Sequence, residues 1–241
     1  MQVLSKLVAL ASVASATYNG FNYGSTNTDG SAVTLEQFTN LFTTAQALPN
    51  TNGEFSAARL YTMIQAGTTN GVISAIPAAI NTNTHLLLGL WASAGQADFD
   101  NELAALSAAI TQYGSAFTNL IAGISVGSED LYRISPTGIS NLSGAGADPA
   151  TLVNYIGQVR TLLTNAKVTA QITHVDTWTA WVNATNNPVI EAVDFVSMDA
   201  YPYFQLTEDN SIDTANATFY DALDATIGAA QGRPVWITET G

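Results

Sequence analysis

Seven short apolar or aromatic runs alternate with amphipathic segments along the whole chain. The runs that predict strands are residues 18–23, 57–61, 85–91, 121–126, 168–175, 195–201 and 235–238. Several are almost continuously apolar, which is typical of strands buried on both faces of a parallel sheet. Between them, apolar residues at helical spacing form stripes that begin at Leu35, Leu103, Leu152 and Phe219. The order of elements therefore predicts an α/β fold.

Seven strand–helix steps at this spacing predict a TIM-like (β/α)8 barrel rather than an open doubly wound sheet. No stretch rich in proline, glycine or charge divides the chain, so we expect one domain over residues 17–241. Little sequence follows the seventh strand. We therefore expect the barrel to be incomplete at its C-terminus, with strand eight absent from this chain.

The first sixteen residues, MQVLSKLVALASVASA, have the pattern of a secretory signal peptide. Lys6 precedes a short apolar stretch, and an A-x-A cleavage signal ends at Ala16. Three glycosylation sequons agree with a eukaryotic secretory route, at Asn141, Asn183 and Asn216. The sequence thus predicts a secreted glycoprotein that begins at residue 17.

Composition narrows the function classes. The 241 residues carry 19 acidic and 6 basic side chains, a net charge of -13, with no cysteine and two histidines. Nucleic-acid binding and adhesion to anionic membranes both need basic surfaces, so this balance argues against them. The absence of cysteine excludes a thiol nucleophile and a cysteine-ligated zinc site. We expect neither a metal nor an organic cofactor.

Two glutamates stand at the carboxyl ends of predicted strands, where barrel enzymes have their active sites. Glu129 follows the fourth strand and Glu239 ends the seventh. These strands lie on opposite sides of a narrow barrel, so both carboxylates can lean over its centre. A retaining glycosidase needs such a pair about 5–5.5 Å apart. Taken singly, each glutamate could instead be a solvated or salt-bridged rim acid.

Aromatic residues at the same strand ends favour a sugar ligand, because pyranose rings pack on aromatic faces. They are Tyr23, Tyr61, Trp91, Trp178, Tyr201, Tyr203 and Phe204. The alternative is rim packing, which we expect first for Trp178 and Phe204. Arg59 is a candidate to hold a catalytic carboxylate ionised or to form a structural ion pair. His174 is a candidate to orient a hydroxyl or carboxylate, whereas His85 lies at the opposite strand end.

One further motif suggests different chemistry. Residues 123–127 match the letters of a G-x-S-x-G nucleophile elbow. An elbow needs a sharp turn at its serine, but Ser125 is predicted inside a strand, so we disfavour a serine hydrolase.

Seven motifs in order carry a family resemblance: 20–24 (GFNYG), 56–61 (SAARLY), 88–91 (LGLW), 123–133 (GISVGSEDLYR), 174–178 (HVDTW), 199–204 (DAYPYF) and 236–241 (WITETG). On these motifs the chain resembles glycoside hydrolase family 17, the β-1,3-glucanases. It is most similar to fungal cell-wall endo-1,3-β-glucosidases that carry a GPI anchor. The resemblance implies a barrel, retention of configuration, Glu129 as proton donor and Glu239 as nucleophile.

The resemblance and the strand ends together predict the residues that bind substrate. They are Tyr23, Arg59, Tyr61, Trp91, Ser128, His174, Asp199, Tyr201 and Tyr203. Ser128 stands where many family members have asparagine, and its hydroxyl can still hydrogen-bond a sugar.

The function we expect is endo-hydrolysis of fungal cell-wall β-1,3-glucan by a secreted, monomeric enzyme. Its partner is that polysaccharide, and any membrane attachment would come from a GPI anchor outside this chain. One alternative is a β-1,3-glucanosyltransferase that remodels wall glucan. Another, from a different class, is a non-catalytic glucan-binding protein.

Overall fold

The computed structural model describes residues 17–205 and 209–240, which contain seven parallel strands. They are β1 (Gly20–Tyr23), β2 (Ala57–Leu60), β3 (His85–Leu90), β4 (Ile121–Ser128), β5 (Ile172–Thr177), β6 (Val196–Ala200) and β7 (Val235–Thr240). All seven predicted strands are confirmed, with boundaries shifted by a few residues. Each strand pairs in parallel with the next along the chain. The predicted signal peptide, residues 1–16, lies outside the described residues.

Helices connect the strands. They are α1 (Leu35–Gln46), α2 (Ala75–Thr82), α3 (Gln96–Tyr113), α4 (Ser115–Thr118), α5 (Asp130–Arg133), α6 (Pro136–Ser140), α7 (Pro149–Ala166), α8 (Trp178–Trp181), α9 (Asn187–Ala192) and α10 (Ala215–Ala229). The four predicted stripes lie in α1, α3, α7 and α10. Asp148 caps α7 by accepting from the backbone N–H groups of Ala150 and Thr151, with Pro149 at the first helical position.

The sheet curls into a nearly closed, TIM-like (β/α) barrel. Its first and last described strands approach each other, where Asn22 Nδ2 donates a hydrogen bond to the carbonyl oxygen of Thr238 at 3.0 Å. β1 and β7 are the edges of this sheet. Their outward side chains Phe21 and Ile237 are 43% and 47% exposed, so burial on both faces holds for the central strands only.

The main core lies between the barrel and its helix layer. Phe38 and Phe42 of α1 are buried there, and the ring of Phe99 in α3 stacks on Tyr155 of α7 with centroids 4.0 Å apart. Close strand contacts require a missing side chain at Gly89, where a Cβ would lie 2.2 Å from the carbonyl oxygen of Leu60. This packing fixes the strand ends that carry the polar residues.

Among the described residues, every helix is too short or too polar to cross a bilayer.

Candidate active site

The barrel brings the two glutamates together at its carboxyl end. Glu129 follows β4, and Glu239 lies in β7 on the far side of the barrel. One carboxylate oxygen of each, with one of Asp199 from β6, lies within 4.8 Å of the others. Retaining glycosidases hold their two carboxyl groups about 5–5.5 Å apart, and inverting ones about 6.5–9.5 Å apart. The spacing therefore suits direct attack by one carboxylate.

Glu239 is surrounded by hydrogen-bond donors. Arg59 Nη1 forms an ion pair with Glu239 Oε1. The hydroxyl of Tyr61 donates to the same oxygen at 3.1 Å, and that of Tyr201 donates to Oε2 at 2.9 Å. Burial and the charge of Glu239 raise the pKa of Tyr61 to about 12 and raise that of Tyr201 as well. Both phenols therefore keep their protons and stabilise the carboxylate.

Glu129 has a different environment. Its backbone is left-handed, with φ 58°, and its N–H donates to the carbonyl oxygen of Val175 at 2.8 Å. Burial, the charge of Glu239 and the charge of Asp176 raise the pKa of Glu129, while Arg133 acts against them. Arg133 Nη2 lies 3.7 Å from Glu129 Oε2. Glu129 is thus the carboxyl group better suited to deliver a proton.

Asp199 is a third carboxyl group in the centre and is 1% exposed. Its Oδ1 accepts from Thr238 Oγ1 at 3.0 Å, while its buried Oδ2 has no partner among the described residues. Burial and the charge of Glu239 raise the pKa of Asp199 well above its usual range. The three carboxyl groups meet the spacing of a cation site. Arg59 already supplies the positive charge there, and a protonated carboxyl group is a weak metal ligand.

Two cavities extend the site on either side of the carboxyl groups. One of about 680 Å³ follows β1, β2 and β3 and is lined by Tyr61, Trp91 and other residues. Another of about 460 Å³ is lined by Glu129, Trp178, Tyr201 and further residues. Cavities with aromatic walls next to the carboxyl groups suit a sugar ligand.

The predicted binding residues fall into several groups. Tyr61, Trp91, Asp199 and Tyr201 line the cavities, and Tyr203 stands at the rim, 72% exposed. Arg59 and Ser128 are buried and bonded to each other, with Arg59 Nη2 donating to Ser128 Oγ at 2.9 Å. Their sugar contacts remain predictions.

The structure gives four of the predicted side chains specific environments. His174 is wholly buried, so the prediction that it contacts substrate is wrong, because β5 points its ring under the site. Tyr23 packs edge-on against Phe42 of α1, so its ring contacts the hydrophobic core. Trp178 and Phe204, the first candidates for rim packing, both line the cavity beside Glu129. Phe204 also packs on Tyr201 and Tyr203 and is 68% exposed, as a rim residue would be. The indole Nε1 of Trp178 is buried and has no partner among the described residues.

Sequence reasoning missed the groups that surround Glu129: Asp130, Arg133 and Asp176. Asp130 and Arg133 belong to the same motif as Glu129, which was the available signal. Ser125 lies within β4, and its Oγ donates to the carbonyl oxygen of Gly127 at 2.6 Å. Ser125 therefore lies inside a strand, as predicted, and not at a nucleophile elbow.

Comparison with known proteins gives consistent results. A family model described as the BtgE/BtgC glycoside hydrolase domain matches residues 20–241. A probable glucan endo-1,3-beta-glucosidase eglC of Aspergillus oryzae is 52% identical over 242 residues, covering 99% of this chain and 52% of that protein. Its counterpart in Aspergillus fumigatus is 54% identical over 239 residues, covering 98% and 53%. The chain thus spans about half the length of these curated relatives.

Solved structures share the fold. The glycoside hydrolase family 17 β-1,3-glucanosyltransferase of Rhizomucor miehei matches with a TM-score of 0.71 and 27% identity, over 93% of this chain and 71% of that chain. An endo-laminarinase from Formosa matches with a TM-score of 0.68 and 15% identity, over 93% and 66%. At that identity the second match supports the fold alone.

Proposed function

Because the chain belongs to the BtgE/BtgC glycoside hydrolase domain family, we propose that it hydrolyses internal linkages of β-1,3-glucan with retention of configuration. The curated relatives are named as glucan endo-1,3-beta-glucosidases, which supports this substrate and bond. The family 17 neighbour shares the fold and is 27% identical.

The mechanism is a double displacement at Glu129 and Glu239. The carboxylate of Glu239 attacks the anomeric carbon while Glu129 transfers its proton to the leaving glycosidic oxygen. The glycosidic bond breaks and a covalent glycosyl–Glu239 ester forms. Glu129, now ionised, removes a proton from water, which attacks the same carbon and releases Glu239. Two inversions give net retention.

The observation that carries this proposal is the unequal surroundings of two close carboxyl groups. Glu239 has Arg59, Tyr61 and Tyr201 as donors, whereas burial and nearby acids raise the pKa of Glu129. Close titratable groups whose environments differ in this way divide into a nucleophile and an acid.

The test replaces each glutamate separately and measures the release of reducing ends from laminarin. E129Q and E239Q each remove one role and are expected to lower the rate by several orders of magnitude, on the scale of triad knockouts. The exposed Glu36 of α1 provides a control, since E36Q should leave the rate unchanged. Normal hydrolysis by E129Q would refute the assignment.

Transfer to a second glucan chain is the alternative that the Rhizomucor miehei neighbour favours. Chromatography of the products from laminari-oligosaccharides separates the two reactions. Products longer than the substrate mean transfer, and shorter ones alone mean hydrolysis. Binding of laminarin without any cleavage would instead indicate a glucan-binding protein.

We also propose that the protein is secreted, glycosylated and monomeric. The three sequon asparagines, Asn141, Asn183 and Asn216, are all exposed, so each is accessible to a glycan. A mass decrease after treatment with an N-glycosidase would support this, and light scattering would give the oligomeric state. Phospholipase release from fungal membranes would test a GPI anchor.

A further inference from the structure

A buried group of charged residues lies directly beneath the backbone that carries Glu129. Its members are Asp130, His174 and Asp176, which are all wholly buried. Charged groups buried in a protein cost free energy unless each is paired and hydrogen-bonded. These three lie too deep to touch a sugar, so substrate binding does not account for them.

The hydrogen bonds of His174 determine its protonation state. Nδ1 lies 2.7 Å from the carbonyl oxygen of Val126, and Nε2 lies 2.9 Å from Asp176 Oδ2. A carbonyl oxygen only accepts, so Nδ1 carries a proton. Asp176 also accepts from the backbone N–H groups of Leu131, Tyr132 and Thr177, the bonds of an ionised carboxylate. Nε2 is therefore a donor too, and the ring is an imidazolium.

Electrostatics agree with this geometry. Burial by itself lowers the pKa of His174, but the hydrogen bond and charge of Asp176, with the charge of Asp130, raise it overall. These two carboxyl groups are the titratable groups that face the ring, and the indole of Trp181 packs against its edge. The ring thus supplies the positive charge between two acids.

The two carboxylates anchor the chain on both sides of Glu129. Before it, Asp130 Oδ2 accepts from the N–H of Ser128 at 2.9 Å. After it, Asp176 accepts from the N–H groups of Leu131 at 2.8 Å and Tyr132 at 3.2 Å, which begin α5. Glu129 itself has a left-handed backbone that L-residues rarely adopt. It needs such restraint to keep one orientation.

The fit around the cluster is tight at Gly127. A Cβ there would lie 2.2 Å from Asp130 Oδ2 and 3.1 Å from His174 Cε1, and its φ is 83°. The carboxylate and the ring therefore both pack against a residue that must be glycine.

We propose that His174 is a positioning residue, an imidazolium that balances Asp130 and Asp176 so that they can hold the left-handed backbone of Glu129. In this way it aims the Glu129 carboxyl group at the leaving oxygen. The inference rests on the proposed function, because it explains how Glu129 is oriented and takes its role as the acid from that function.

The first test measures the protonation state of His174 and does not depend on catalytic activity. The chain is labelled with ¹⁵N-histidine, and H85Q removes the signal of the other histidine. Nitrogen chemical shifts then report the protonation of His174 between about pH 5 and 8, the range in which histidines usually titrate. We expect both ring nitrogens to stay protonated throughout. A neutral ring at pH 7 would overturn the proposal whether or not the enzyme hydrolyses glucan.

The second test separates acid catalysis from general damage. H174Q is compared with the wild type on a laminari-oligosaccharide and on a dinitrophenyl β-laminarioside, whose leaving group needs no proton. Since kcat/KM reports the first displacement, we expect a loss of about 100-fold on the first substrate and less than about 10-fold on the second. Equal losses would mean a merely structural role and would overturn the proposal.

Thr173 provides the matched control on the same strand. It is wholly buried and bonds to Ser197 Oγ at 2.9 Å rather than to the acids. T173V should affect both substrates equally. If H174Q fails to fold, the wild-type nitrogen shifts still decide the protonation state. If the wild type cleaves neither substrate, the proposed function fails while that measurement stands.

Discussion

The positive charge of Arg133 limits the pH range in which Glu129 can act as an acid. Arg133 Nη2 lies 3.7 Å from Glu129 Oε2, and the two side chains are 21% and 27% exposed. At this distance two unit charges attract by about 1 kcal/mol in water and by about 4.5 kcal/mol at an effective dielectric of about 20. Water reaches both groups, so the lower figure applies, and the charge of Arg133 lowers the pKa of Glu129 by a correspondingly small amount.

The change is R133M, which removes the charge and keeps most of the side-chain volume. Without the cation the ionised form of Glu129 is less stable, so the pKa of Glu129 rises further. The protonated acid then persists to higher pH. We expect the basic limb of the pH profile of kcat/KM to move to higher pH. Laminarin hydrolysis, measured as reducing ends across the pH range, gives this profile.

R133K is the control for the charge. Arg133 Nη1 also donates to the carbonyl oxygen of Ser143 at 2.6 Å, and its guanidinium lies 5.3 Å from the centre of the Trp91 ring. Lysine keeps the charge and loses this geometry. If both variants moved the limb equally, the lost contacts and not the charge would be responsible. A downward shift in R133M would refute the electrostatic argument outright.

Three other expectations concern single polar groups. Y201F removes a 2.9 Å hydrogen bond to Glu239. A bond to a charged group is worth about 1.5–3 kcal/mol, so kcat/KM should fall about 10- to 100-fold, while Y220F, on the exposed face of α10, stays near wild type. Asp199 has a raised pKa, so its carboxyl group is replaced well by the neutral amide of D199N. D199N should therefore keep kcat/KM within about 10-fold of wild type, while D199A loses more. A larger loss in D199N would show that the ionised carboxylate is needed. Burial raises the pKa of Glu102 from 4.5 to about 7, so the folded state holds a proton that the unfolded state releases. The free energy of unfolding should therefore fall as pH rises from about 4.5 to about 7, by up to about 3 kcal/mol, and urea titrations of E102Q should lack this slope.

Much of the fold could be predicted from consecutive residues. A buried parallel strand is a short apolar run, and such runs predicted all seven strands in order. Helical spacing predicted α1, α3, α7 and α10. It missed α2, whose eight residues AIPAAINT are too short and too uniformly apolar to show a polar face. Short segments such as α5 and α8 carry too little periodicity to be predicted.

The proposed catalytic pair was predictable for a related reason. Glu129 and Glu239 come at the carboxyl ends of strands, and a barrel brings those ends to one face. Placing residues on a face requires the strand order alone. The motifs around each glutamate added the family and the assigned roles.

The surroundings of each side chain depended on the tertiary structure. Arg59 pairs with Glu239 across 180 residues, His174 is buried against Asp176 and Asp130, and Trp178 lines the cleft rather than the rim. Burial, charge state and hydrogen-bond partners are set by groups from several strands, and no local pattern records which of these meet. The sequence by itself thus determined the strand order and the two glutamates. Only the folded barrel decided which glutamate is surrounded by donors and which one is better suited to keep its proton, because a pKa depends on every neighbour in space.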